Sequence, residues 1–187
     1  MDIDHILLEN EVNFMDRVMV IGCSGSGKST LSQKLHHALQ LPVIHLDRYY
    51  WKANWQATEP TEWDRKVEEF ALTDRWIIDG NYSRTLDIRI ERADVIVFLD
   101  MPRWLCMYRI MKRRVQYHGK TRPDLNEDCP EKIDIGFIKW VWNYKKRNRV
   151  RTLDKLEQVK NHKKIIIIRN KKQLQQYIKQ VQNDEIV

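Results

Sequence analysis

No stretch of this 187-residue chain stays apolar for the roughly 20 residues that a membrane-spanning helix needs. The first sixteen residues hold five acids and neither lysine nor arginine, so the basic start and apolar run of a secretory signal are missing there. No membrane partner is read from such a chain, and a cytoplasmic location is expected. Cysteine is scarce: Cys23, Cys106 and Cys129 are an odd number without C-x-x-C spacing, which argues against a disulfide framework and against a thiolate zinc site. Internal repeats and low-complexity segments are absent too. The length suits one domain with a sizeable core.

What is present is unevenly spread. The formal net charge is +7, yet residues 1–100 hold 11 Lys and Arg against 17 Asp and Glu, a net of −6, while residues 101–187 hold 22 against 9, a net of +13. A basic half attracts polyphosphates and nucleic acid alike, so its sign does not choose between them.

The densest signal lies at 20–30, "VIGCSGSGKST", where Gly22 to Ser29 fits the phosphate-loop pattern G-x-x-x-x-G-K-[ST]. The apolar run 17–21 precedes it as a buried strand, and Leu31, Leu35 and Leu39 follow at helical spacing. Strand, glycine loop and helix therefore come in the required order. Gly22, Gly25 and Gly27 let the backbone amides of a loop containing Ser24 and Ser26 turn inward on an anion, helped by the N-terminus of the helix that starts near Lys28, Ser29 and Thr30. Lys28 is expected to bridge the β- and γ-phosphates of ATP, and the Ser29 hydroxyl to ligate Mg²⁺.

Four more apolar runs, 43–47, 75–80, 93–100 and 163–169, alternate with helical segments at 62–72, 102–116, from Phe137 onward, and 171–182. Near-continuous apolar strands separated by helices predict a doubly wound α/β domain with a five-stranded parallel sheet, its strand ends gathered around one crevice. Residues 1–16 read as an extension and 17–187 as the domain. Within it, 48–74 is an insertion crowded with Tyr49, Tyr50, Trp51, Trp55 and Trp63, placed directly after a strand's carboxyl end, where Tyr50 and Trp51 would stack on a substrate. The polar, proline-containing 117–131 is expected to form a short mobile lid. The basic run "YKKRNRVR" that follows reads as a solvated helix face.

Taken together, the phosphate loop, "WIIDGNYSRT" and "YRIMKRRVQ" resemble the adenylate-kinase-like branch of phosphate-loop kinases. More narrowly, "HLDRYYW", "WIIDGNY" and "RPD…CPEKIDIGFIKWVWNYKKR" are similar to the bacterial family of DNA topology modulation proteins, over about residues 17–169. The first resemblance implies that Asp79 organises Mg²⁺, that Arg84 holds an acceptor phosphate, that Arg109 stacks on adenine and that Arg113, four residues on, grips phosphate. Asp47 resembles the acid of nucleoside and shikimate kinases, which accept phosphate on a hydroxyl. The lid lacks cysteine pairs, residues 48–74 show no nucleoside monophosphate clamp, and "RNKK" is not a guanine reader.

The reading that results is an ATP- and Mg²⁺-dependent kinase acting on a small acceptor, a nucleoside or nucleotide. Lys28 and the loop hold ATP, Ser29 and Asp79 place the metal, Arg113 and the lid's Arg122 neutralise the moving charge, and Asp47 orients or deprotonates the acceptor hydroxyl. The rival is a nucleic-acid-binding protein in which ATP only switches conformation; no helix-turn-helix or other DNA-reading module supports it. A slow ATPase without an acceptor is the third reading.

Overall fold

Every residue of the first strand after Arg17 is buried, so the strand has no solvent face and must be covered on both sides. The computed structural model describes residues 15–119, 121–122, 124–126, 128–130 and 134–183. In chain order the strands are β1 (Arg17–Gly22), β2 (Val43–His45), β3 (Trp51–Lys52), β4 (Gln56–Ala57), β5 (Trp76–Asp79), β6 (Val95–Leu99) and β7 (Lys164–Ile168). The helices are α1 (Lys28–Leu39), α2 (Leu46–Tyr50), α3 (Pro60–Leu72), α4 (Leu86–Arg92), α5 (Arg103–Gln116), α6 (Ile135–Asn143), α7 (Asn148–Val159) and α8 (Lys171–Gln182).

Five strands form one parallel sheet in the order β2-β5-β1-β6-β7, the doubly wound arrangement expected from the apolar runs. β1 is central: Val18 stands beside Ile77 of β5 and Val95 of β6. The chain first fills the sheet on one side of β1 and then crosses to the other, and the crevice beyond the strands' carboxyl ends opens at that reversal. Alternation along β1 divides the core. Val18 and Val20 pack with Leu31, Leu35, Ile110 and Tyr177 on the face of α1, α5 and α8. Met19 and Ile21 pack with Trp63, Val67, Ile90 and Leu156 on the face of α3, α4 and α7.

Several boundaries differ from the sequence reading. β2 stops at His45 instead of running through Asp47, because Leu46 turns into the core against Gly80, where an added Cβ would lie 2.7 Å from that of Leu46. Asp47 therefore sits in the first turn of α2. The insertion at 48–74 is built: α2, the small antiparallel pair β3–β4, and α3, which starts two residues before 62 on Pro60 at its first turn. The helix read from Phe137 into the basic run breaks at a 3-10 turn, Tyr144–Lys146, and resumes as α7. The extension read at 1–16 lies outside the described residues up to 14; Met15 is buried in the core, and the Asp16 carbonyl accepts from the Trp76 amide, so these two belong to the domain. All three cysteines are free and buried. Among the described residues, no helix is long and apolar enough to cross a membrane.

Candidate functional site

The loop after β1 turns on two left-handed glycines, Gly25 (φ 76) and Gly27 (φ 103). Gly27 also caps α1, and no side chain occupies the helix's first-turn amides as a cap. At Gly25 the requirement is spatial as well, since a Cβ would lie 2.5 Å from the Cys106 carbonyl oxygen: the start of α5 crosses directly over the loop. Arg109, one turn further along α5, donates to the Gly25 and Ser26 carbonyls at 3.3 and 2.8 Å. The Lys28 ammonium curls back to donate to the Gly22 and Cys23 carbonyls at 3.0 and 3.2 Å.

Two adjoining cavities open here. The larger, about 690 Å³, lies over the loop and reaches Ser29, Thr30, Asp79, Arg109 and Asp124. The second, about 430 Å³, has Trp51 and Trp55 from the β3–β4 pair among its walls and, from α6, Phe137 and Trp140, whose rings stack 6.1 Å apart at 13°. Ser24, Lys28, Asp47, Arg113 and Arg122 line both, so the phosphate loop and the aromatic chamber meet along one edge.

Three carboxylates line the loop cavity, each held differently. Asp79, buried at the end of β5, takes a hydrogen bond from His45 Nδ1 at 2.8 Å. Burial by itself would push the His45 pKa down, but the bond and charge of Asp79, with Asp124 and Asp47 further off, raise it above the ordinary value. Asp47 accepts from the Tyr82 hydroxyl at 2.7 Å. Asp124 accepts from the Ser29 hydroxyl at 2.8 Å and from Arg122 at 3.1 Å. Among the described residues, no group of three or more His, Cys, Asp or Glu side chains is arranged to hold a metal ion.

Most residues singled out in the sequence gather here: Ser24, Gly25, Gly27, Lys28, Ser29, Thr30, Asp47, Trp51, Asp79, Arg109, Arg113 and Arg122 line one cavity or both. Four do not. Arg84, expected at an acceptor phosphate, lies outside both, 57 % exposed and paired with Asp64 of α3 at 2.6 Å, because α3 offers a carboxylate beside the turn that carries it. Tyr50 is turned into the packing, 5.0 Å from Trp63 and 4.7 Å from Tyr82 between ring centroids. Gly22 and Ser26 shape the loop from beneath; a Cβ on Gly22 would stand 2.6 Å from the Leu99 carbonyl oxygen. Arg109 lines the nucleotide-sized cavity but bonds the loop's carbonyls. His45, Tyr82 and Asp124 were missed. The sequence signal for them was slight: a histidine inside an apolar run, a tyrosine after Asp79, and an acid two places beyond Arg122.

No family model matches the chain. It is 32% identical over 106 residues to the uncharacterized protein YqaC of Bacillus subtilis (strain 168), a match that covers 54% of this chain and 58% of that protein's length. Among solved structures, a gluconokinase from Sinorhizobium meliloti 1021 superposes with a TM-score of 0.52 at 16% identity, covering 91% of each chain. A shikimate kinase from Bacteroides thetaiotaomicron gives 0.50 at 16% identity, over 91% of this chain and 98% of that one. The deoxyadenosine kinase of M. mycoides gives 0.50 at 14% identity, over 90% of this chain and 98% of its own. The parallel sheet, the loop after its central strand and these likenesses together make this a phosphate-loop kinase fold.

Proposed function

We propose that this chain is an ATP- and Mg²⁺-dependent phosphotransferase that moves the γ-phosphoryl group to a small acceptor, a nucleoside or nucleotide. The observation that carries the reading is the shared edge: Lys28 and Asp47 line both the loop cavity and the aromatic chamber. A donor phosphate on the loop and an acceptor among the tryptophans would meet there.

The residues present fit ATP and magnesium. The loop offers a floor of left-handed glycines, Lys28 bonds only carbonyls that a phosphate can replace, and Ser29 and Asp79 face the same cavity. A magnesium ion carried by the phosphates asks few ligands of the protein and would neutralise their charge. Transfer through a loose transition state then depends on positioning and charge. Lys28, Arg113 and Arg122 surround the edge with positive charge for the moving phosphoryl group. Asp47 takes the acceptor hydroxyl proton as the new O–P bond forms and the bond to the ADP oxygen breaks.

Between the two acceptor types, the geometry favours a hydroxyl over a phosphate. Arg84 is held away by Asp64, and Asp47 stands on the chamber wall, where an acceptor hydroxyl would give up its proton. The aromatic walls suit the flat face of a nucleoside base.

The rival reading, an ATP-switched nucleic-acid-associated protein like the DNA topology modulation family, draws on the +13 half. Part of that charge is neutralised within the fold: Arg149 makes two bonds to Asp100, at 2.7 and 2.8 Å, and Lys155 pairs with Asp87. The two readings separate in a thermal-shift screen of nucleosides, nucleotides and hydroxylated metabolites, with and without a non-hydrolysable ATP analogue. A nucleoside that stabilises further on top of the analogue supports the kinase. No response to the analogue, with DNA binding that falls steeply in salt, supports the rival.

A further inference from the structure

Asp124 lies in the segment between α5 and α6, 95 positions from Ser29, yet its Oδ2 accepts the Ser29 hydroxyl at 2.8 Å. Arg122 donates to the same oxygen at 3.1 Å, and the Arg122 and Asp124 side chains are only 10 % and 17 % exposed. A largely buried carboxyl group, held by an arginine, is thus positioned on the one hydroxyl of the loop that the proposed chemistry assigns to a cation.

The spacing is suited to that cation. Magnesium binds oxygen at about 2.1 Å in near-octahedral geometry, which places neighbouring ligand oxygens about 3.0 Å apart. Ser29 Oγ and Asp124 Oδ2 stand 2.8 Å apart, close to that separation. Both line the loop cavity together with Asp79 and its hydrogen-bond partner His45. A cation in the loop cavity finds these two oxygens side by side, with Arg122 beside them to balance the negative charge.

We propose that Asp124 is a direct ligand of the nucleotide-borne magnesium, completing with Ser29 a metal site that the phosphate loop does not supply alone. The inference rests on the ATP- and Mg²⁺-dependent reading above. It makes the segment after α5 part of the metal site as well as a source of positive charge.

The test is the affinity of a fluorescent ATP analogue, N-methylanthraniloyl-ATP, measured with Mg²⁺ and with EDTA on the full chain. The wild type should bind more tightly with Mg²⁺. Asp124→Asn should lose about tenfold or more of that metal-dependent gain while its affinity in EDTA stays within about twofold. If the wild type does not bind the analogue at all, the parent reading fails. If the wild type shows a metal-dependent gain and Asp124→Asn keeps it, only the present inference fails. Tighter binding by Asp124→Asn in both conditions would also overturn it, since Asp124 would then be an anion that merely blocks the loop. Should the asparagine variant not fold, Asp124→Cys decides: a metal ligand predicts recovery of affinity with Cd²⁺ but not with Mg²⁺, beyond what Cd²⁺ does for the wild type, and no selective recovery counts against the ligand.

Discussion

The Tyr82 hydroxyl donates its hydrogen to Asp47 Oδ1 at 2.7 Å, across 35 positions of sequence. Tyr82 is largely buried, and burial, followed by the negative charge of Asp47, drives its pKa well above the ordinary value, so it stays a donor at any physiological pH. The bond ties the first turn of α2 to the end of the β5 segment and aims one oxygen of Asp47. Asp47 itself lines both cavities where they meet.

That arrangement sets the first expectation. Asp47→Asn should bind ATP and hydrolyse it at the background rate but lose about 10²–10⁴-fold in phosphoryl transfer, as removal of a general base does. Tyr82→Phe should lose about tenfold, by leaving Asp47 unaimed. A coupled ADP-release assay with and without acceptor reads both. Equal loss of hydrolysis and transfer in Asp47→Asn would make Asp47 a metal ligand.

Lys28 bonds two loop carbonyls, so its removal costs the fold little and the phosphate its main cation. Lys28→Ala should fold normally by circular dichroism and retain no detectable transfer. Unchanged turnover would end the kinase reading.

Gly25 combines a left-handed backbone with the nearest approach of α5. Gly25→Ala should destabilise by about 2 kcal/mol or more, because the strain of the conformation adds to a contact with a backbone carbonyl that cannot rotate away. The thermal midpoint should fall together with ATP affinity. Loss of affinity alone would mean the loop moves without α5.

Arg89 is fully buried and donates to the carbonyls of Gly80, Tyr82 and Thr85 at 3.0, 2.6 and 3.1 Å; burial pushes its pKa down to about 10. Arg89→Met should cost about 3 kcal/mol in urea unfolding, since three carbonyls, two of them fully buried, lose a donor. Transfer should weaken as well, because Asn81 and Tyr82 on that turn line the aromatic chamber.

Arg84 supplies the opposite expectation. Exposed and paired with Asp64 on the surface, it should be replaceable by alanine with the acceptor KM unchanged in steady-state kinetics. A large rise in KM would mean that the ion pair opens and the arginine swings to the acceptor.

The five-strand fold was legible because burial on both faces demands unbroken apolar runs, and the phosphate loop because its glycines and Lys28 serve a backbone geometry that is local in sequence. Lys28, Ser29 and Asp79 needed nothing beyond strand, loop and strand end to be assigned to one cavity. The insertion was harder. Tyr50 and Trp51 are neighbours of equal aromatic promise, yet the short turn of α2 points one into the packing against Trp63 and leaves the other on the chamber wall.

The residue types and their local spacing thus determined the sheet and the loop. Only tertiary structure decided which charges meet. Arg84 is paired to Asp64 by the docking of α3, and Asp47 is aimed by a tyrosine from another strand's end. Asp124 meets the Ser29 hydroxyl from 95 positions along the chain. A side chain's partner depends on distances between elements far apart in the chain, and a charge's worth on how much water those elements exclude; neither is encoded in any short stretch of sequence.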